Sequence, residues 1–478
     1  MILRTLIFLV PFMGTVSRSA EAEPSYTIIV SEAAKSDSAW AEVVDALQRK
    51  YPQAAQITWT KDVSESLSAL ANQHPKFSCF VAKPSEVTRE YVASVHQITR
   101  RLDQDPYCDT LWGILTGYDA ANAKRIATQQ EDLTIQRVSS GTEVALSMCK
   151  EGVWYDELEQ YKKVEKRRGG SVTHQVGPGD TTRVLADSLS QPETHLFVTS
   201  GHATERNWQI GFRYKNGYFQ SKAGQMFGKT TDNEQFRIHS ETAKVYLAVG
   251  NCLMGHIDGP DAMALAWLND VGMNQMLGYT VLTWYGYSGW GVLDYFVEQP
   301  GRYSLTEAFH ANQHALIHRI DRYFPKLTNY QLEAGSRNLP SVNPTQEGER
   351  LGLTSFDSRG LLWDRDTVAF YGDPAWTATM AEMPKAYDQN LTIENNLYTL
   401  TITPNLDDRS FEAINTNGSQ RGGRPILHYL PTRVENIEIL SGQELQPVIA
   451  DDFILIPNHL AKSNQKNLRV QFRASPVR

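Results

Sequence analysis

Residues 196–202, Leu-Phe-Val-Thr-Ser-Gly-His, and residues 245–252, Val-Tyr-Leu-Ala-Val-Gly-Asn-Cys, are two apolar runs that each end in a reactive side chain. Short apolar runs bounded by Gly and polar residues are typical of strands buried on both faces of a parallel sheet. In open α/β sheets, ligands bind just beyond the carboxyl ends of such strands. We therefore expect an α/β fold in which His202 and Cys252 share one rim, on neighbouring strands about 5 Å apart.

The pairing of a thiol with an imidazole predicts chemistry at this rim. A cysteine nucleophile needs a nearby base, so Cys252 with His202 indicates a cysteine-dependent hydrolase. Each residue alone has a simpler interpretation, because free Cys is among the most buried residue types and a His in a Gly-His turn is often a surface residue. Their shared position, each at the exit of an apolar strand, favours the catalytic interpretation.

The composition is that of an acidic globular protein with several domains. The chain has 478 residues, of which 41% are hydrophobic, and a formal net charge of −8. This length allows two or three domains with substantial cores, and the negative charge argues against a nucleic-acid binder. Four cysteines are too few for a disulfide scaffold, and their pairing stays open: they are Cys79, Cys108, Cys149 and Cys252.

The first 22 residues are typical of a secretory signal. Arg4 supplies the positive charge, residues 6–16 the apolar stretch, and Ala20-Glu21-Ala22 a small-x-small cleavage site. The apolar stretch is too short to span a bilayer comfortably, and no later segment has 18 consecutive apolar residues. We expect an exported protein, periplasmic, at the cell surface or secreted, with no membrane span after cleavage; an uncleaved anchor is the alternative.

Three folded units are predicted after the signal. Apolar runs alternate with amphipathic helices in residues 23–168, which predicts an N-terminal α/β subdomain with a parallel sheet. The basic run 162–168 is interpreted as a solvated helix end that leads into a Gly-Gly loop. Residues 169–384 form the subdomain that carries His202 and Cys252, and residues 385–478 change to short strands and Gly-rich turns, which suggests a β-sandwich.

Four segments carry a family resemblance. They are residues 105–113, residues 199–208 around the histidine, residues 250–255 around the cysteine, and residues 365–375, which contain Gly372-Asp373-Pro374. In order and spacing they resemble the gingipain family of cysteine peptidases, within the caspase-like clan. The likeness covers about residues 26–383 and implies a caspase-like sheet in two subdomains, followed by an immunoglobulin-like sandwich. The chain departs from the family at Ala203, where Gly is usual, and at Asn251, where a small residue is usual.

The resemblance implies a role for each residue of the site. Cys252 is the nucleophile of an exported cysteine endopeptidase, and His202 protonates the leaving amine. The N–H groups of Cys252 and of Ala203 or Gly201 form the oxyanion hole, a role that backbone donors can fill. Glu205 is a candidate to orient the imidazole, with a solvated loop carboxylate as the equal alternative. No cofactor is required for catalysis, and a structural calcium ion is compatible with the family.

The expected substrate is a protein or peptide anchored by one side chain. By resemblance, Asp105 supplies the acidic end of a specificity pocket and would pair with a basic residue before the cleaved bond. The alternative is that Asp105-Pro106 only opens a turn. Trp284 and Tyr285 follow the strand after Cys252 and could wall this pocket, although an aromatic core explains them nearly as well.

Two other classes of function compete with a peptidase. Cys252, His256 and Asp258, with His202, could ligate a metal ion, but the short spacing fits a turn as readily and no recognised metal motif is present. The second class is a catalytically inactive caspase-like scaffold or adhesion module, because fold does not guarantee function. The sequence leaves the oligomeric state and the natural substrate open.

Overall fold

The computed structural model describes residues 25–418, 420–458 and 467–477; the predicted signal at residues 1–22 lies outside them. Its centre is a sheet of twelve strands, which confirms the α/β fold class. In spatial order the strands are Ala55–Trp59, Tyr26–Ser31, Phe77–Val81, Leu111–Leu115, Val368–Tyr371, Met273–Tyr279, Lys244–Ala248, Leu196–Thr199, Arg137–Ser140, Glu151–Tyr155, Lys162–Lys166 and Val172–Val176.

The sheet contains two groups of five parallel strands that run in opposite directions, and the antiparallel strands Lys162–Lys166 and Val172–Val176 at one edge. The two groups meet where Met273–Tyr279 pairs antiparallel with Val368–Tyr371. From Met273–Tyr279 through Glu151–Tyr155, five neighbouring strands are parallel. Their carboxyl ends therefore form one rim. Two of these strands end at this rim just before the predicted site residues: Leu196–Thr199, which we call the histidine strand, and Lys244–Ala248, which we call the cysteine strand.

The two predicted subdomains share this one continuous sheet. Strands from residues before 168 pair with the histidine strand, so the predicted boundary falls inside the sheet. The basic run that we interpreted as a helix end forms the strand Lys162–Lys166, with Val164 and Lys166 buried in alternation. The Lys166 ammonium donates to the carbonyl oxygens of Ser147 and Cys149 at 3.0 and 2.7 Å, which explains why a lysine is tolerated there.

Helices cover both faces of the sheet, and its central strands are therefore buried on both faces. Asp37 caps the helix Ser38–Lys50, whose Trp40, Val43 and Leu47 face the core. Ser304 and Glu307 form a capping box at the start of the longest helix. The helices are Glu32–Lys35, Ser38–Lys50, Leu67–Gln73, Arg89–Thr99, Ala120–Thr128, Thr182–Ser190, Met263–Asp270, Tyr287–Phe296, Leu305–Tyr323, Gln346–Arg350 and Ser355–Asp364.

The Gly372-Asp373-Pro374 segment joins the end of this α/β unit to its beginning. The Asp373 carboxylate accepts hydrogen bonds from the hydroxyls of Tyr26 and Tyr51 at 2.9 and 2.7 Å. It also forms an ion pair with the Lys50 ammonium at 2.8 Å. Because Tyr26 lies on the first described strand, one buried carboxylate ties the two ends of the unit together.

Two small sheets accompany the central one. A four-stranded antiparallel sheet is inserted between the histidine and cysteine strands, and a two-stranded sheet joins Leu133–Ile135 to Ala378–Met380. The first two strands of the inserted sheet pair antiparallel, and Lys215-Asn216-Gly217 lies in the loop between them. These strands are Asn207–Gln209, Tyr218–Lys222, Gln225–Lys229 and Gln235–Ile238.

The C-terminal segment folds as a β-sandwich of four and three strands. The larger sheet contains Tyr387–Glu394, Leu397–Pro404, Leu468–Pro476 and Val434–Ser441, and the smaller one Ile426–Tyr429, Phe453–Ile456 and Val448–Ile449. One face of the smaller sheet belongs to the core of the α/β unit through Leu427, Phe453 and Leu455. The sandwich is therefore packed on the α/β unit. In the described part of the chain, every helix is too short or too polar to cross a bilayer.

Buried charges complete the contact between the sandwich and the α/β unit. Arg421 donates to Asp294 at 2.6 Å and to Glu298 at 2.5 Å, and all three side chains are at most 7% exposed. The Arg424 guanidinium lies 3.7 Å above the Tyr287 ring. We call these five residues the sandwich junction.

Candidate active site

The histidine and cysteine strands are adjacent and parallel, so their turns leave the sheet side by side. Leu196 pairs with Val245 and Thr199 with Ala248. The histidine turn, residues 200–203, and the cysteine turn, residues 250–253, follow at the same rim. The structure thus places His202 and Cys252 on neighbouring turns, as the two apolar runs indicated.

The buried Asn251 side chain joins the two turns. Its Oδ1 accepts a hydrogen bond from the Thr199 hydroxyl at 2.5 Å, and its Nδ2 donates to the Gly201 carbonyl oxygen at 3.1 Å. The close approach also needs Gly250, because a Cβ there would lie 2.5 Å from the Ser200 hydroxyl oxygen. Asn251, which departs from the family pattern, therefore fixes the histidine turn against the cysteine turn.

Cys252 differs from the other three cysteines in its environment. All four thiols are free, and Cys252 is half-buried whereas the others are buried. Burial raises the pKa of both Cys108 and Cys149 to about 12, which keeps these thiols protonated and inert. The Cys252 sulfur accepts the Thr283 N–H at 3.2 Å. Leu253 has φ 58°, a strained conformation for a branched residue directly after the thiol.

His202 is exposed at the rim. Its ring stacks on Phe212, with centroids 4.5 Å apart and planes 28° from parallel. Gly201 precedes it with φ 100°, a conformation that glycine adopts without strain. Within the described residues, hydrogen bonds engage the His202 carbonyl oxygen but neither ring nitrogen, so both nitrogens are accessible to a substrate.

Two backbone donors on these turns are also free. Thr204 donates to Asn207, and Gln209 to His202, on either side of Ala203. Leu253 donates to Val281 directly after Cys252. The N–H groups of Ala203 and Cys252 have no acceptor within the part of the chain that the structure describes, so both are available to a developing oxyanion.

Glu205 contacts a different histidine from the one expected. Its carboxylate lies 3.3 Å from His256 Nδ1. The next residue, Arg206, forms a bidentate ion pair with Asp258, with N–O distances of 2.6 and 3.0 Å. The structure thus gives Glu205 no contact with the His202 ring among the described residues. His256 and Asp258, the ligands of the metal alternative, already have these partners.

Sequence reasoning missed a buried carboxyl on the same rim. Glu157 follows the strand Glu151–Tyr155, and its Oε1 accepts the Thr142 hydroxyl at 2.7 Å. Its Oε2 has no partner among the described atoms. Its carbonyl oxygen accepts the N–H of Phe212, the residue that stacks on His202. Burial raises the pKa of Glu157 to about 7. A sequence pattern could have identified Glu157, because Asp156-Glu157 directly follows an apolar strand, as His202 and Cys252 follow theirs.

Asp105 lies among other carboxylates beside the sandwich. Its carboxylate accepts the Tyr107 N–H at 2.7 Å, and burial, followed by repulsion from Asp103, raises its pKa to about 6. Oxygens of Asp103, Asp105 and Asp109 lie within 4.8 Å of one another. Carboxylate oxygens suit calcium, so the expected structural calcium, which stays a prediction, would find hard ligands here.

Trp284 and Tyr285 occupy different environments. Trp284 is 39% exposed, and it follows Thr283, whose N–H contacts the Cys252 sulfur. Tyr285 is buried, and its hydroxyl donates to Asp357 at 2.8 Å. Trp284 is therefore accessible to a substrate that binds next to the thiol. Tyr285 is buried behind Trp284 and belongs to the protein interior.

Comparison with known proteins finds similarity in two solved structures. No family model and no curated protein matches the chain. A structure described as "Structure of Protease" has a TM-score of 0.41 and 9% identity, covering 80% of this chain and 85% of that one. The complex of Porphyromonas gingivalis RgpB pro- and mature domains has a TM-score of 0.42 and 10% identity, covering 94% and 99%. Such distant likeness assigns no residues.

Proposed function

We propose that the protein is a cysteine endopeptidase in which Cys252 attacks the peptide carbonyl and His202 supplies the proton to the leaving amine. The observation that carries the proposal is the joining of the two turns by Asn251, at the ends of adjacent parallel strands. Such joining holds a partly exposed thiol and an exposed imidazole at one rim, as nucleophilic catalysis requires.

The chemical roles follow from which groups are free. The thiolate is the attacking species, and an adjacent imidazole that accepts the thiol proton generates it. The carbonyl oxygen then becomes negative, and the Ala203 and Cys252 N–H groups can receive it. Collapse of this intermediate expels the amine, which takes its proton from His202, and water releases the acyl group from the sulfur. No step needs a cofactor.

Glu157 is connected to His202 through its backbone, whereas its carboxyl contacts neither the His202 ring nor Phe212 among the described residues. It is buried at the rim, and its carbonyl oxygen accepts the N–H of Phe212, on whose ring His202 stacks. Glu205 instead contacts His256. In this proposal the Glu157 backbone holds Phe212, and Phe212 positions the His202 ring, while the Glu157 carboxyl takes no part in the reaction.

Export and a basic-residue preference stay predictions. Export rests on the signal at residues 1–22, and we propose that the enzyme acts outside the cytoplasm. The basic preference rests on Asp105, whose charged surroundings include Asp103, Asp451 and Arg433. These contacts connect Asp105 with the sandwich side of the molecule and offer the preference no support.

The second candidate function is an inactive scaffold of the same fold. Two departures favour it, Ala203 after the histidine and Asn251 before the cysteine. The structure gives Asn251 a positive role in joining the turns, and Ala203 keeps its N–H free. The role of Asn251 and the free N–H of Ala203 make these two departures compatible with an active enzyme, so we favour the enzyme over the scaffold.

Cleavage of a denatured protein by purified parent, Cys252→Ala and His202→Ala proteins tests the proposal. We expect the parent to cut and each variant to lose at least ~10³-fold in rate, with the double variant no slower than either, because the two groups act as a unit. Circular dichroism checks that all proteins are folded. Full activity of the Cys252→Ala protein would overturn the nucleophile assignment, and an inactive, folded parent would favour the scaffold.

A further inference from the structure

Three exposed large apolar side chains lie on, or pack against, the segment that contacts the thiol. Leu282 is 45% exposed, Trp284 39% and Phe356 54%. Large apolar side chains in one contiguous exposed patch usually mark a binding surface. We call these three residues the apolar wall.

The backbone places the apolar wall directly at Cys252. The Thr283 N–H, between Leu282 and Trp284, contacts the sulfur at 3.2 Å. The Thr283 hydroxyl donates to the Asn251 carbonyl oxygen at 3.0 Å, which fixes this segment to the cysteine turn. The side chains on either side of Thr283 therefore border the place where the attacked carbonyl must lie.

Packing from behind makes the wall rigid. The Trp284 and Phe356 rings meet edge to face, with centroids 5.3 Å apart. The Trp363 indole N–H donates to the Leu282 carbonyl oxygen at 2.9 Å. Thr354 and Asp357 form a capping box that starts the helix carrying Phe356. Rigid aromatic surface loses little conformational entropy when a ligand binds, so the wall is prepared for an apolar partner.

The charged side chains next to Phe356 on its helix supply no unpaired carboxylate for a cationic partner. Asp357 is the nearest carboxylate in sequence, and it already accepts the Tyr285 hydroxyl at 2.8 Å and the Thr354 N–H at 2.8 Å. Arg359 is exposed and follows Phe356 by three residues on the same helix, so the two neighbour each other on its surface. The charged side chains nearest to Phe356 along this helix are therefore one carboxylate with two hydrogen-bond donors and one exposed guanidinium, which together do not form an acidic pocket.

We propose that the apolar wall binds the side chain of the substrate residue whose carbonyl is attacked, and that this residue is aromatic or branched aliphatic. The proposal rests on the proposed peptidase function and names its substrate class. It also replaces the basic preference that Asp105 suggested in the sequence.

Two matched sets of peptides test this, identical except for Phe or Arg before the cleaved bond. The parent should cleave the Phe peptide with a kcat/KM at least about 10-fold higher, within the range that apolar pockets achieve. Phe356→Ala and Trp284→Ala should each remove most of this preference, chiefly by raising KM. Ile393→Ala, at a residue similarly exposed on the terminal sandwich, is the matched control and should change neither value.

Binding of the same peptides to the Cys252→Ala protein, measured by calorimetry, separates this proposal from the peptidase function. Tighter binding of the Phe peptide than of the Arg peptide, lost in Cys252→Ala/Phe356→Ala, supports the wall even if the parent cuts nothing. Equal binding of the two peptides overturns the wall. Preferential cleavage after Arg also overturns it and leaves the peptidase assignment standing.

Discussion

The rim that carries His202 and Cys252 and the sandwich junction differ in how far their polar side chains are exposed to solvent. At the rim, His202 is exposed and Cys252 half-buried, and the turns that carry them are held by backbone contacts and by the Asn251 amide. At the junction, Arg421 is 2% exposed and its two carboxylate partners are buried with it. In our proposal, chemistry at the rim depends on the His202 and Cys252 side chains, which we expect to contribute little to folding. Folding at the junction depends on buried charges to which the proposal gives no part in chemistry.

The junction should show the largest effect on stability. Arg421→Met leaves Glu298 buried without its cation and leaves Asp294 only the more distant Arg424, at 3.8 Å. Removing one partner of such a buried ion pair typically costs about 3–5 kcal/mol. We expect urea denaturation to report such a loss, while the folded variant keeps the specific activity of the parent. Lys124→Met, which breaks an exposed pair with Glu42, is the control and should cost less than about 1 kcal/mol. Equal losses for the two variants would remove the contrast between rim and junction.

Asn251 should show an intermediate effect that appears in catalysis. Asn251→Ala removes both bonds between the turns, and we expect kcat to fall about 10–100-fold with KM nearly unchanged, since small misplacements of catalytic groups cost about this much. The matched control is Asn122→Ala, which removes a buried amide that donates to Leu268 and accepts from Tyr118. Each variant should lose about 1–3 kcal/mol of stability. Equal activity of the two would refute the positioning role.

Glu157 should show the smallest effect, in the dependence of stability on pH. Burial raises its pKa from 4.5 to about 7. Between these values the folded state binds more protons than the unfolded state, so this carboxyl lowers stability as the pH rises through that window. Glu157→Gln keeps the acceptor for Thr142 but removes the titration.

When the pH is raised from about 5 to about 8, the free energy of unfolding of the parent should fall because of Glu157. In Glu157→Gln this fall should be smaller by about 2 kcal/mol. Glu159→Gln, at a carboxylate 70% exposed, should keep the parent slope. Parallel profiles for Glu157→Gln and the parent would show that the Glu157 carboxyl is not perturbed by burial.

The sequence was sufficient for the rim because the rim is built from local patterns. Two apolar runs that end in Gly and a reactive residue predicted the strands before His202 and Cys252 and the α/β class. Glu157 was missed because its place depends on which strand pairs beside the histidine strand. That pairing involves Arg137–Ser140 and Glu151–Tyr155, and it is not visible in local periodicity.

Contacts between units account for the other differences. The assignment of Asp105 to a substrate pocket stays a prediction. Its charged surroundings include Arg433 and Asp451 of the sandwich, and no local pattern predicts how that unit docks. The basic run 162–168 was interpreted as a helix end because its charges suggested a solvated surface. It forms a strand because Val164 packs into the core and Lys166 finds buried carbonyl oxygens.

Alkylation of the native protein by iodoacetamide, mapped by mass spectrometry, tests most directly that Cys252 and His202 act together. The account predicts one label per chain, on Cys252, because Cys79, Cys108 and Cys149 are buried. It also predicts that His202→Ala slows this labelling at neutral pH by about 10-fold or more, since the imidazole no longer accepts the thiol proton. Labelling of Cys252 at the same rate in the parent and in His202→Ala, or no labelling of Cys252 at all, would contradict it.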